Sequence, residues 1–210
     1  FRLASVLKRH GFPGRSLELA LECAEKTIVG TAARLLASEI YLLKNLPFRA
    51  LHHARRVLET ETDNIDALII AAQAARNVGR YAEAEKFLFR IGRVEPENPE
   101  MHYEMALAHL RAGKVQKALE KLQKACLWRP ETGRYHYHYS IALALDEQRK
   151  EAARHLKKAV ALLEEPSAAY TKLGVLAHRE GQIDVAKACY LRAMKTAPKQ
   201  STAAANNLAN

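Results

Sequence analysis

The feature that most constrains the fold of this chain is a repeat with a period of 34 residues. Four units in one register begin at Ile65, Pro99, Gly133 and Ser167. A small residue recurs at the eighth position, in the order Ala72, Ala106, Ser140 and Gly174. Alanine recurs at the twentieth position, as Ala84, Ala118, Ala152 and Ala186. A period of this length indicates stacked helical units, each too small to bury a core alone.

Each unit has the pattern of two helices joined by a short turn. The fifteenth position holds Gly79, Gly113, Glu147 and Gly181, and the thirty-second holds Pro96, Pro130, Glu164 and Pro198. Glycine closes a helix by adopting positive φ, and proline cannot continue one. The small residues let neighbouring helices approach closely. Because only 9 Gly and 7 Pro occur in 210 residues, the sequence predicts an all-α protein, and the tandem repeats predict an α-solenoid.

The small, Ala, Ala and Pro pattern resembles the tetratricopeptide repeat (TPR) family from about residue 31 to residue 198. The segments "RYAEAEKFLFRIGRVEPENPE" and "GQIDVAKACYLRAMKTAPK" are similar to its second helix and exit turn. The resemblance implies a right-handed superhelix of helix-turn-helix units and a single domain over 1–210. We expect a partial unit at 1–30, full units at 31–64, 65–98, 99–132, 133–166 and 167–200, and the start of a further helix at 201–210. Both ends resemble cuts in a longer array, which predicts end-to-end self-association.

The resemblance also implies a protein-interaction scaffold that binds a peptide segment or a partner domain in a concave groove. An alternative is a regulatory or targeting module of a larger enzyme or of an envelope or secretion assembly machine. In the family, the second, fifth, sixth, ninth and thirteenth positions of each first helix line the groove. The groove residues expected here are Ile69, Gln73, Tyr103, Glu104, Leu107, Arg134, Tyr137, His138, Ile141, Thr171, Lys172 and Arg179.

The expected groove changes character along the chain, from acidic through apolar to basic. Tyr103, Leu107 and Tyr137 are the expected apolar anchors, because buried aromatic residues carry much of the energy of interfaces. Charged residues would orient a bound peptide. The positions at which TPR proteins grip the carboxylate tails of heat-shock chaperones have only one matching basic residue here, which argues against that ligand.

The histidine-rich stretch "GRYHYHYSIALAL", residues 133–145, raises the question of a metal site. His136 and His138 are two residues apart, whereas helical ligand pairs need a spacing of three or four. His102 holds the place of His136 in the preceding unit, which favours a packed ring with a satisfied nitrogen. Because no nearby Cys, Asp or Glu completes a ligand set, we predict no metal site. No cofactor motif and no catalytic constellation occur, so the chain is not expected to be an enzyme.

A formal net charge of +10 raises the question of a nucleic-acid surface. The twenty-sixth position is basic in five units, at Arg56, Arg90, Lys124, Lys158 and Arg192. Long basic side chains also cover apolar surface while the charge stays in water. No aromatic residues interleave with this row as single-strand binding requires, so protein or peptide partners are favoured over nucleic acid.

The remaining composition concerns the compartment of the protein. No apolar run approaches the 18 residues of a membrane span, so none is predicted. The cysteines Cys23, Cys126 and Cys189 are odd in number and far apart in the sequence. This usage favours reduced thiols, and through them the cytoplasm.

Overall fold

A computed structural model describes residues 2–25, 30–197 and 202–209 of the chain. All regular structure in these ranges is α-helical. The helices are α1 (Arg2–Arg9), α2 (Pro13–Ala24), α3 (Gly30–Leu43), α4 (Pro47–Leu58), α5 (Ile65–Asn77), α6 (Tyr81–Val94), α7 (Pro99–Arg111), α8 (Val115–Trp128), α9 (Gly133–Leu145), α10 (Arg149–Leu162), α11 (Ser167–Arg179), α12 (Ile183–Thr196) and α13 (Thr202–Ala209). Pro198, which holds the thirty-second position of the last full repeat, lies outside the described residues.

The helices pack in sequential pairs, as the repeat predicts. The pairs α1 with α2, α3 with α4, α5 with α6, α9 with α10, and α11 with α12 each form a helical hairpin. The first helices α5, α7, α9 and α11 begin at the residues where the 34-residue period begins. The prediction of an all-α chain of tandem helix-turn-helix units is therefore confirmed.

The chain divides into two compact units, Phe1–Ala108 and His109–Asn210. The core of the first unit includes Ile40, Leu68 and Leu88, all fully buried. In the second unit, Tyr190 of α12 packs in a cluster with Ala204 of α13. The expectation of one domain over residues 1–210 stays a prediction.

The turns between paired helices have the backbone that the fifteenth position predicts. Gly79, Gly113 and Gly181 adopt φ angles of 80°, 73° and 73°. Asn45 and Glu147, which hold this position in two other units, adopt the same conformation with φ of 55° and 62°. Left-handed backbone costs a residue with a Cβ roughly 1–2 kcal/mol, and asparagine tolerates it better than most. The backbone at Glu147 is therefore strained. The repeat requires this turn geometry even where the residue is not glycine.

We predict that Glu147→Gly stabilises the protein by about 1 kcal/mol, because glycine removes the clash of the Cβ in this conformation. Chemical denaturation followed by circular dichroism measures the change. Asn45→Gly is the matched control and should give a smaller gain. A loss of stability in Glu147→Gly would show that the glutamate side chain contributes more than its backbone costs.

Two paired helices approach each other closely at Gly174 in α11. A Cβ added there would lie 2.4 Å from Cε1 of Tyr190 in α12. Tyr190 is itself buried, so its ring has little room to move. The glycine at the eighth position of this repeat is therefore required by the tyrosine opposite it.

Gly174→Ala should cost about 1–3 kcal/mol of stability, because the added methyl group overpacks the interface with Tyr190. Gly92→Ala in α6 is the matched control, since the nearest atom to its added Cβ is Cε of Met101 at 3.5 Å. That variant should gain about 0.5–1 kcal/mol from helix propensity. Thermal and chemical denaturation of both variants measure the difference. Equal effects of the two substitutions would contradict the role given to Gly174.

Candidate functional site

The expected groove residues of the first unit differ in how much surface they expose. Ile69 and Gln73 of α5 are half-buried. Tyr103, Glu104 and Leu107 of α7 are buried, with 5%, 3% and 9% of their surface exposed. The role of these residues in binding a partner stays a prediction, and the side chains with accessible surface are those on α5.

Glu104 already has partners within the first unit. Gln73 Nε2 donates a hydrogen bond to its Oε1 at 2.9 Å, and Arg76 Nε donates to its Oε2 at 3.3 Å. Burial raises the pKa of the Glu104 carboxyl, although Arg76 and Gln73 both act in the opposite direction. Removal of the carboxylate from water therefore outweighs its ion pair.

The raised pKa of Glu104 implies that the free energy of unfolding depends on pH. A carboxyl whose pKa is higher in the folded than in the unfolded state stabilises the fold when protonated, and this contribution is lost as the pH rises through the window above the unfolded pKa. We therefore expect the stability of the wild type, relative to Glu104→Gln, to fall as the pH is raised from about 4 to 7. Urea denaturation at a series of pH values measures it.

The quantity compared between the wild type and Glu104→Gln is the slope of the free energy of unfolding against pH. Any constant cost of leaving Arg76 without its carboxylate cancels in that slope, and so do all other titrating groups. Parallel pH profiles of the wild type and Glu104→Gln would contradict the assignment.

In the second unit, four expected groove residues lie on α9, namely Arg134, Tyr137, His138 and Ile141. Arg134 is exposed, and its guanidinium carbon lies 5.4 Å from the centre of the Tyr135 ring. Tyr137 and His138 are half-buried, and their rings meet edge to face with centroids 5.1 Å apart. On α11, the Thr171 hydroxyl donates to the carbonyl of Ser167 at 3.0 Å. These groove residues thus lie on α9 and α11, each of which is the first helix of its repeat, as the register predicts.

A cavity of about 230 Å³ lies between α9 and α11 and brings together three of the expected residues, Ile141, Lys172 and Arg179. Leu145 and Val175 also line it, and Leu145 exposes 60% of its surface. The sequence analysis missed these two, although they occupy the thirteenth and ninth positions, which it had assigned to the groove. Lys172 and Arg179 are both exposed. The cavity therefore combines an apolar wall with two basic side chains. We call it the α9–α11 cavity.

The histidine-rich stretch forms helix α9, and His136 is buried within it. Its Nε2 lies 2.7 Å from the carbonyl oxygen of Pro130. His102, one period earlier, has Nε2 3.0 Å from the carbonyl oxygen of Pro96. The prediction of packed rings with a satisfied nitrogen at these equivalent positions is confirmed.

The other nitrogen of His136 has neighbours that the sequence analysis did not find. Its Nδ1 lies 3.6 Å from Sγ of Cys126 on α8 and 2.9 Å from Nδ1 of His155 on α10. The three ligand atoms all lie within 4.8 Å of one another. The premise that no cysteine comes near these histidines was wrong, because the neighbours come from other helices. We call these three residues the Cys–His–His cluster.

The basic row at the twenty-sixth position has acidic neighbours in the first unit. Arg56 pairs with Glu59 at 3.0 Å, and Arg90 lies 3.8 Å from Asp63. Lys124, Lys158 and Arg192 of the second unit are exposed. None of the helices in the described ranges has the length and apolar character of a membrane span.

Comparison with known families decides the classification. The model of the FAT domain matches residues 46–210. The chain belongs to the FAT domain family. This domain is a TPR-like helical domain, and the tetratricopeptide repeats predicted from the sequence are confirmed by TPR relatives.

One relative of this FAT-family chain is Tetratricopeptide repeat protein 8 of Caenorhabditis elegans, which is 28% identical over 138 residues. The match spans 65% of this chain and 27% of that protein. The chain thus spans about a quarter of the length of the curated relative that it matches.

Solved structures with the same fold include the following two. TTC0263, a TPR protein of Thermus thermophilus, superposes with a TM-score of 0.74 at 21% identity, covering 86% of this chain and 100% of that one. YrrB, described as a TPR protein with an unusual peptide-binding site, has a TM-score of 0.61 at 17% identity, covering 90% of this chain and 97% of that one.

Proposed function

We propose that this FAT-family chain is a protein-interaction scaffold that binds an extended peptide segment of a partner. The observation that carries the proposal is the α9–α11 cavity, where three residues expected from the repeat register meet in one accessible depression. The peptide-binding site of YrrB supports a peptide ligand, because that protein has the same fold.

The size of the cavity favours a side chain over a small-molecule cofactor. Sites for drug-sized ligands enclose about 300–1,000 Å³, and this cavity has about 230 Å³. Ile141, Leu145 and Val175 form its apolar wall, and a hydrophobic side chain that enters it loses contact with water. Burial of this kind contributes about 1.5–3 kcal/mol for a large aliphatic or aromatic side chain.

The charges around the cavity define the rest of the ligand. Lys172 and Arg179 border it, and neither makes an ion pair with another residue of the described ranges. A peptide with acidic residues beside its apolar anchor would complement them, and electrostatic complementarity governs orientation and association rate. We therefore propose an acidic peptide with a hydrophobic anchor as the ligand.

The other expected groove residues extend this proposal within each unit. Arg134, Tyr137, His138 and Thr171 lie on the same two helices as the cavity and would contact the flanking parts of a peptide. Ile69 and Gln73 offer partly exposed surface on the first unit. Tyr103, Glu104 and Leu107 would support that surface from beneath.

The test is selection from a random peptide library displayed on phage, using the immobilised chain, followed by titration of synthetic versions of the enriched peptides. We expect acidic peptides with an aromatic or aliphatic residue. Lys172→Glu combined with Arg179→Glu should weaken their binding at least tenfold, because attraction becomes repulsion. Leu145→Asp should weaken it by a similar factor, since it puts a charge in the apolar wall.

The matched control is Lys124→Glu combined with Arg192→Glu, which makes the same change of charge at the twenty-sixth positions of the second unit. That variant should bind the selected peptides within about twofold of the wild type. Equal losses in both double variants would mean that net charge alone attracts the peptides. Undiminished binding in Leu145→Asp would place the site elsewhere.

A second candidate function is a regulatory or targeting module within a larger enzyme or an envelope or secretion assembly machine. It is favoured by the much greater length of the curated relative. Under either function we infer no enzymatic activity and no nucleic-acid ligand. We also infer a reducing compartment such as the cytoplasm. Self-association at the end of the array stays a prediction.

A further inference from the structure

The Cys–His–His cluster of the second unit lies outside the proposed peptide site. Cys126 and His136 are buried, and His155 is half-buried. We propose that Cys126 Sγ, His136 Nδ1 and His155 Nδ1 are the protein ligands of a zinc ion. A thiolate with two imidazoles is a donor set suited to this borderline-soft ion, which accepts sulfur and nitrogen together.

Two of the three distances between the ligand atoms are close to those around a tetrahedral ion. Zinc bonds of about 2.3 Å to sulfur and about 2.0 Å to nitrogen place a sulfur and a nitrogen ligand about 3.5 Å apart, and two nitrogen ligands about 3.3 Å apart. Cys126 Sγ lies 3.6 Å from His136 Nδ1, and the two Nδ1 atoms are 2.9 Å apart. The third pair, Cys126 Sγ and His155 Nδ1, lies within 4.8 Å. Binding would require the two rings to separate by a few tenths of an ångström, and His155 to approach Cys126 by up to about 1.3 Å.

The hydrogen bonds of His136 prepare its Nδ1 to be a ligand. The Pro130 carbonyl at 2.7 Å can only accept, so the proton of a neutral ring lies on Nε2. Nδ1 then carries a lone pair that points at the cluster. A zinc-bound histidine commonly donates its other ring N–H to a backbone carbonyl in this way, which fixes its tautomer and its orientation.

Without an ion, the cluster has an imbalance of donors and acceptors. The single lone pair of His136 Nδ1 faces both the Cys126 thiol and His155 Nδ1. If both neighbours carry protons, they compete for one acceptor. If His155 Nδ1 carries none, two lone pairs face each other at 2.9 Å. A cation at the centre removes the conflict, because all three atoms then donate lone pairs to it.

The cluster is specific to one place in the repeat. In the register of the repeats, Gly92 and Val160 take the place of Cys126, and Lys121 and Cys189 take the place of His155. Only the histidine whose Nε2 faces a proline carbonyl recurs, as His102 in the preceding repeat. The stacking of repeats therefore does not require this combination of residues, and its three members converge from α8, α9 and α10.

The protonation states of Cys126 and His155 determine which proton zinc must displace when it binds. Burial lowers the pKa of His155 to about 4, so its ring is neutral at pH 7. Burial raises the pKa of the Cys126 thiol to about 12, against an opposing effect of Lys158. The metal must displace the thiol proton, so binding should strengthen as the pH rises.

Three protein ligands leave one position of a tetrahedral ion for water or for a group of a partner. Access to the ion would run past His155 and Tyr139, which are half-buried and whose rings meet with centroids 4.5 Å apart. The bound ion would link α8, α9 and α10, and would stabilise the second unit through that link.

The test uses the untagged chain, reduced and freed of metal, because an added histidine tag would itself bind zinc. Equilibrium dialysis with elemental analysis should find one tightly bound zinc ion per chain. Cobalt should give a thiolate-to-metal charge-transfer band and the intense visible bands of tetrahedral coordination. Calorimetry in two buffers that differ in ionisation heat should show release of about one proton per ion, the thiol proton.

Cys126→Ser and His155→Gln should each weaken zinc binding at least tenfold, and Cys126→Ser should abolish the cobalt charge-transfer band. His102→Gln and Cys189→Ser are the matched controls. His102 contacts a proline carbonyl as His136 does, and Cys189 is a buried cysteine outside the cluster. Both should bind zinc within about twofold of the wild type. Each variant is checked by circular dichroism.

A measurement on the wild type covers the case in which a cluster variant fails to fold. X-ray absorption spectroscopy of the zinc-loaded wild type should show one sulfur ligand at about 2.3 Å and nitrogen ligands at about 2.0 Å. Three results would overturn the proposal: no zinc bound by the wild type, equal binding by Cys126→Ser, or no sulfur ligand on the bound zinc.

Discussion

The structure depends on how closely the two helices of each hairpin can approach. This distance is set where the eighth position of the first helix faces the second helix. In the α1–α2 hairpin, the Ser16 hydroxyl donates to the carbonyl of Ala4 at 2.6 Å, and both residues are fully buried. In the α11–α12 hairpin, the ring of Tyr190 occupies the space that a side chain at Gly174 would need. Larger residues at these positions would separate the helices and open the core.

This constraint leaves most other positions free to vary. Once the small residues fix the packing, the fold needs a turn at the fifteenth position and an apolar face on each helix. The turn is required strongly enough that Glu147 adopts positive φ without being glycine. Positions of α9 and α11 outside the buried core carry no such requirement. There the half-buried Ile141 and the exposed Lys172 and Arg179 line a cavity. The basic side chains of the proposed binding surface are thus not required by the packing, although Ser140 and Leu156 of the core also line the cavity.

The sequence predicted the fold well because the repeat presents each requirement several times. Helices α5, α7, α9 and α11 begin where the period predicts, and the paired His102 and His136 behave alike. One periodic signal was overlooked. Asn64 and Asn98 accept hydrogen bonds from the backbone of Ala67 and Met101, each at 2.9 Å, and so cap α5 and α7 at the last position of successive repeats.

The candidate sites were predicted less completely, for two physical reasons. Leu145 and Val175 are predictable from the sequence, because they hold the thirteenth and ninth positions of their repeats. Their aliphatic side chains do not distinguish them from core residues. The Cys–His–His cluster could not be found by looking along one helix. Its residues occupy different positions of two repeats, and only the packing of three helices brings them together. Sequence spacing detects ligand pairs on one helix face, and it does not detect a site assembled between helices.

The α9–α10 hairpin connects the cavity with the cluster. On α9, His136 belongs to the cluster, and Ile141 lines the cavity. On α10, His155 belongs to the cluster, and the adjacent Leu156 lines the cavity. Because a packed interior transmits displacements of its side chains, a shift of α10 that brings the two imidazoles to zinc-ligand distances also moves a wall of the cavity. If the ion changes the affinity of the cavity for a peptide, the peptide must change the affinity for the ion by the same factor.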